Sequence, residues 1–262
     1  MVVTFLRRNL TDFKKDKLVT IMKNKIVLFS FLLILFLTSA SQLSYSQLSD
    51  NADRGTRTIY LIRHGQYDQA DTSDADIGQE LTPLGIAQAR LLTARLSGMP
   101  IKFNLLTSST MTRARETAMV INEDFPELKL KQSTLIRECT PPTWRKDIMA
   151  DETESDLNMC AKNLETAFTE YFLPSPDGND RNDIIVCHGN VIRYFVTKIL
   201  KADPMSWLQM SIGNCSLTII RILPDGSMKL AAYNDVGHIP PNMQTETGGN
   251  NSPKELMIPE NK

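Results

Sequence analysis

Twice in this sequence a short apolar run stops on a histidine and then a glycine. Residues 58–65 read Thr-Ile-Tyr-Leu-Ile-Arg-His-Gly, and residues 183–189 read Asp-Ile-Ile-Val-Cys-His-Gly. Runs this short and apolar, closed by a glycine, mark buried strands. In an open α/β sheet the ligand site lies just beyond the carboxyl ends of the strands, so His64 and His188 are expected on one rim. One such histidine is readily the polar end of a strand; two at matched positions point to a shared site.

The rest of the chain supplies the helices such a sheet needs. Thr82-Pro83 places an N-cap before a proline at the first helical position, and the helix carries Leu84, Ala87, Leu91 and Ala94 on one face until Gly98-Met99-Pro100. A strand at 104–107 runs into Ser108-Ser109-Thr110 and a helix over 111–121. An extended stretch at 129–136 ends on Arg137-Glu138, and a loop at 139–147 holds Pro141-Pro142 and Trp144. A long helix over 154–172 shows Leu157, Ala161, Leu164, Phe168 and Tyr171 on one face. A helix over 191–200 follows the second histidine, and Asp203-Pro204 caps a short one. Strands at 216–222 and 228–233 flank Pro224-Asp225-Gly226, a hairpin signal. The alternation predicts one α/β domain over 57–243, with a mostly parallel central sheet flanked by helices and a C-terminal hairpin as its antiparallel edge. Residues 47–56 read as a linker, and the polar, Gly-rich 244–262 as a disordered tail.

Residues 1–46 hold seven Lys or Arg against two Asp, a net +5 in a chain whose total is −1, which leaves −6 on the remainder. An acidic body excludes nucleic acid as a partner, because phosphate contacts need clustered basic side chains. Residues 26–37 form a twelve-residue apolar run, fifteen to Ala40, preceded by Lys23 and Lys25 and followed by small residues. Spanning a bilayer takes about twenty residues, so this order predicts a cleaved secretory signal peptide and an exported protein, periplasmic or secreted. The alternative is a membrane anchor over 26–40, with membrane contact only if the leader stays uncleaved. Met22 is a second candidate start. The four cysteines, Cys139, Cys160, Cys187 and Cys215, allow three pairings and match no zinc-binding spacing. Cys187, inside a strand-like run, is expected as a buried free thiol.

Three further residues belong beside the two histidines. Arg63 directly precedes His64, Arg113 lies on the first turns of a helix that follows a strand, and Glu138 closes the third extended stretch. Two arginines, two histidines and a carboxylate suit phosphoryl transfer through a covalent histidine intermediate. A neutral imidazole nitrogen attacks phosphorus while its other nitrogen is held as a donor. Arg63 and Arg113 grip phosphate oxygens, His188 adds a donor, and Glu138 protonates the leaving oxygen. Gly65, Gln66, Gly189 and Asn190 are the expected substrate-binding neighbours. No metal or cofactor is called for. Arg115 and Arg193 are assigned to solvated helix faces, and His238 to structure.

Arg63-His64-Gly65, Ser109-x-x-x-Arg113-Ala114, Arg137-Glu138 and His188-Gly189 together resemble the histidine phosphatase superfamily, also called phosphoglycerate mutase-like. The runs Gln66-Tyr67, Pro141-Pro142-Thr143-Trp144 and His188-Gly189-Asn190-Val191-Ile192-Arg193-Tyr194 extend the resemblance to its mitochondrial Ser/Thr-protein phosphatase branch. The resemblance implies a three-layer fold, a metal-independent phosphatase with His64 as nucleophile, and a phosphorylated protein or small phosphoester as substrate. A homodimer is compatible with it. Alternatives are a mutase acting on a small metabolite and an inactive phosphate-binding module. Gln66-Tyr67-Asp68 departs from the mutases, which carry a small hydroxyl residue and then an asparagine there. The Trp/Asp-rich activating motif of the mitochondrial branch has no counterpart in 47–57.

Overall fold

The fold is that of a computed structural model, which describes residues 55–68 and 77–246. The expectations placed on 1–46, on most of the linker and on 247–262 lie outside the described residues. Six strands, β1 (Arg57–Arg63), β2 (Leu105–Ser109), β3 (Leu130–Ser133), β4 (Arg181–Cys187), β5 (Leu217–Ile222) and β6 (Met228–Asp235), form one sheet in the order β3-β2-β4-β1-β5-β6. The first four in that order run parallel, and β5 and β6 add the antiparallel hairpin. Gly226 turns that hairpin at φ +82, a conformation that favours glycine. This is the mixed, mostly parallel sheet that the alternation of runs predicts.

Both faces of the sheet are covered, which is why β1 and β4 carry unbroken apolar runs, Ile59–Ile62 and Ile184–Cys187. Tyr60, Ile62, Ile184 and Val186 pack against α1 (Pro83–Ser97) and α2 (Thr112–Asp124). The alternate residues Ile59, Leu61, Ile185 and Cys187 pack against α4 (Glu154–Tyr171) and α5 (Gly189–Ile199), through Leu164, Ala167, Val191 and Phe195. A four-residue helix, α3 (Lys146–Met149), lies in the loop before α4. Three layers result.

Thr82 caps α1 as expected, its hydroxyl accepting from the Gly85 amide at 3.1 Å. The buried face of α1, however, is Gly85, Gln88, Ala89, Leu92, Thr93 and Leu96, not the stripe through Leu84 and Leu91. Apolar residues surround this helix, and a polar side chain sits at the centre of its true inner face. Gln88 is buried because it is bonded throughout: its Oε1 accepts from the Gln66 amide, and its Nε2 donates to the Met243 carbonyl and the Thr245 hydroxyl.

At the far end of the sheet from the histidines, Asp183 is fully buried between Arg57 and Arg181, each 2.8 Å from its Oδ2. Cys139 and Cys160 form a disulfide, while Cys187 and Cys215 are free and buried.

Candidate active site

Parallel pairing of β1 with β4 sets Arg63 opposite Cys187, so the next residue on each strand is a histidine. The His64 amide donates to the Cys187 carbonyl at 3.0 Å, and the two imidazole rings lie 5.1 Å apart. The turn that leads into β5 secures this junction from the other side. Cys215 N–H donates to the Arg63 and His64 carbonyls, and Asn214 Nδ2 donates to His64 O at 3.1 Å. His238, half-buried, is structural: Arg95 donates to its Nδ1, so Nε2 carries the proton and donates to the Cys215 carbonyl.

The partners of His64 fix its tautomer. Nδ1 lies 2.8 Å from the Gly65 carbonyl, which only accepts; Nε2 lies 3.2 Å from Arg113 Nε, which only donates. Nδ1 therefore holds the proton and Nε2 presents a lone pair. Burial, followed by the neighbouring His188, Arg63 and Arg113, pushes the imidazole well below its ordinary range, so His64 stays neutral at pH 7.

The other polar groups converge on the same place. A cavity of about 300 Å³ is lined by Arg63, His64, Tyr67, Arg113, Glu138, Gly189, Asn190 and Arg193. Arg63 is anchored by an Nη1 bond to the Ile212 carbonyl and, desolvated, is pulled down to about 10, still charged at neutral pH. Its Nε is buried with no partner, as is Nδ1 of His188, whose Nε2 pairs with Ser109 Oγ at 2.8 Å. Glu138 accepts from the Asn190 amide at 3.3 Å, and burial raises its carboxyl against the opposing pull of Arg113, Arg63 and Arg193. Helix α5 starts at Gly189, which brings its positive N-terminal end to the cavity.

Ligating atoms of His64, Glu138 and His188 lie within 4.8 Å of one another, a spacing that admits a cation. Three arginines facing one carboxylate in the same cavity make it an anion site instead.

Of the residues singled out from sequence, Arg63, His64, Arg113, Glu138, Gly189 and Asn190 line the cavity, with His188 behind His64. Gly65 and Gln66 do not line it. A Cβ on Gly65 would lie 2.6 Å from the Gly85 carbonyl oxygen, and Gln66 bonds to Thr82, so these two seat α1 against the end of β1. Arg193 corrects the solvated-face assignment. It reaches the Gly189 and Met210 carbonyls and Asn190 Oδ1, and stacks over Trp207 at 5.0 Å. Its place three residues after Asn190 on a helix puts both on one face, a signal legible in the sequence. Tyr67 was absent from the expected set; its ring meets His64 edge-on at 5.2 Å and lies 4.6 Å beneath the Arg113 guanidinium.

Comparison with known proteins agrees with this geometry. Residues 59–236 match the family model described as histidine phosphatase superfamily (branch 1). The serine/threonine-protein phosphatase Pgam5, mitochondrial, of Caenorhabditis elegans is 43% identical over 197 residues, covering 71% of this chain and 66% of that one. Its Homo sapiens counterpart is 33% identical over 211 residues, covering 77% and 70%. The chain thus spans about two thirds of the length of such relatives. Among solved structures, Plasmodium falciparum phosphoglycerate mutase matches at a TM-score of 0.50 and 28% identity, covering 71% of this chain and 95% of that one. Entamoeba histolytica phosphoserine phosphatase shares the fold at a TM-score of 0.56 and 20% identity, covering 70% and 99%. The relatives' names overturn one expectation. They are mitochondrial, not exported, so the secretory signal peptide and the periplasmic or secreted location do not stand. A basic arm before a short apolar run is common to more than one kind of leader, and its length alone does not name a compartment. Among the described residues no helix is long and apolar enough to cross a membrane.

Proposed function

Because the chain belongs to the histidine phosphatase superfamily, we propose that it hydrolyses phosphate monoesters on proteins, with His64 as the phospho-accepting residue. The observation that carries this reading is the pair of buried, unpartnered nitrogens, Arg63 Nε and His188 Nδ1, on the two residues that adjoin His64 in sequence and across the strand pair. Buried polar groups are nearly always bonded, and a phosphate among these residues would give both nitrogens an acceptor.

Nε2 of His64 attacks phosphorus, and the bond to the ester oxygen breaks. Arg63, Arg113 and His188 hold the equatorial oxygens, and their donors strengthen as charge redistributes in the transition state. Arg113 Nε bonds the attacking nitrogen at rest, so an incoming phosphate must take over that donor before attack. Glu138, whose carboxyl burial raises, is placed to donate the proton that neutralises the departing alkoxide. Its carboxylate then takes a proton from the water that attacks the phosphohistidine, releasing inorganic phosphate and restoring the acid.

Support for a protein substrate comes from the relatives' names and from space. A groove of about 620 Å³ opens on the other side of Glu138, room for chain flanking a phosphorylated residue. The test is a panel of phosphoserine and phosphothreonine peptides against sugar and glycerol phosphates, without added metal. Phosphate release from the peptides, abolished in His64→Ala, supports the reading. Turnover of a small metabolite alone, or return of the phosphoryl group to the substrate, contradicts it.

A further inference from the structure

We propose that the Cys139–Cys160 disulfide positions Glu138, so that proton donation to the leaving group depends on the oxidised state of this bond. The inference rests on Glu138 being the general acid. Glu138 lies in residues 138–143, which belong to no helix or strand. A disulfide and several hydrogen bonds hold this segment, among them one from Thr143 Oγ1 to the Met205 carbonyl at 3.1 Å. Asn190 Nδ2 donates to the Cys139 carbonyl at 3.0 Å, and the Asn190 amide donates to Glu138 itself. Trp207 Nε1 donates to the Pro141 and Pro142 carbonyls at 3.2 and 3.1 Å. The disulfide is the one covalent tie among them, and it starts at the residue next to Glu138. Its other end is on α4, a helix packed on the sheet through buried Leu164, Ala167 and Tyr171.

The remaining ties are hydrogen bonds, each worth about 1 kcal/mol net, and none of them other than those of Asn190 is made at Glu138 or Cys139. A misplaced proton donor loses rate steeply even when the fold is intact. Both cysteines line the groove beside Glu138, where Cys160 is buried and Cys139 is partly exposed, so a solution reductant would reach the bond from the Cys139 side. Reduction by a dithiol breaks the S–S bond, leaves a thiol on Cys139 and on Cys160, and converts the dithiol to its own disulfide. Cys187 and Cys215 do not compete in this exchange. Both are fully buried, and desolvation raises their thiols far above neutral pH.

Leaving groups separate positioning from mere stability. A phosphoserine peptide needs a proton on its leaving oxygen; 4-nitrophenyl phosphate does not. Both substrates are assayed with the full chain, oxidised and dithiol-reduced, alongside Cys160→Ser and Glu138→Gln, with circular dichroism to check folding. Reduction or Cys160→Ser is expected to lower kcat on the peptide about tenfold, leave 4-nitrophenyl phosphate within about twofold, and change nothing further in Glu138→Gln. Equal losses on both substrates, no loss on reduction, or an undiminished loss in Glu138→Gln would each overturn the proposal. So would four reactive thiols in the denatured protein before any reductant is added. If Glu138→Gln itself matches wild type on the peptide, the acid assignment fails and the positioning role falls with it. Failure of the disulfide role alone leaves that peptide loss in place.

Discussion

His64 is useful only in one protonation state and one tautomer, and its two neighbours impose both. A carbonyl that must accept and a guanidinium that must donate leave Nε2 bare, while burial and nearby positive charge keep the ring neutral. The acid limb of kcat/KM should therefore fall below the ordinary histidine value of about 6.5. A pH–rate profile with that limb at or above 6.5 would show that the pocket does not depress the ring. Tyr67 supports the same centre through the face it offers Arg113. Tyr67→Leu should lower kcat/KM about fivefold by removing the cation–π contact, and Tyr67→Phe should restore most of it. If Phe is as damaging as Leu, the hydroxyl rather than the ring matters.

Elements bring these residues together by register. Matched ends of β1 and β4 put the two histidines side by side, and β2 delivers Ser109 and, at the second residue of α2, Arg113. Gly85 is what lets α1 approach this end of the sheet. A Cβ there would lie 2.0 Å from the Gln66 carbonyl oxygen. Helix propensity alone makes Gly85→Ala stabilising by about 1 kcal/mol; the backbone clash predicts the opposite sign, a loss of about 1–3 kcal/mol. Urea unfolding decides between them, and a gain in stability would refute the close approach. The matched strand ends were legible because burial on both faces gives β1 and β4 the unbroken apolar runs Ile59–Ile62 and Ile184–Cys187. Glycine-for-contact at 85 and the inward-facing Gln88 were not, since each departs from the apolar pattern for a tertiary reason. The cysteine pairing was equally hidden, because Cys139 and Cys160 meet only once α4 folds back beside the Glu138 loop. Arg193 was misread because a cation on a helix is usually solvated, although its spacing from Asn190 already placed the two on one face.

Across the whole molecule the three histidines of the sequence share one property: each is pushed below its ordinary value, with burial the largest cause. Between the folded values and about 6.5 the unfolded chain binds more protons, so stability is lost as pH falls through that window. Glu138 acts oppositely, its raised carboxyl costing stability as pH rises above its unfolded value of 4.5. Three groups outweigh one, and the urea midpoint should be lower at pH 5.5 than at pH 7.5; an equal or higher midpoint at pH 5.5 would contradict this balance. The central claim is chemical, and trapping tests it most directly. The protein is mixed with a radiolabelled phosphopeptide, quenched within the first turnover, and digested to locate the label. Acid-labile, base-stable phosphate is expected on the peptide containing His64, and none in His64→Ala. Turnover with no such label, or label on another residue, would contradict it.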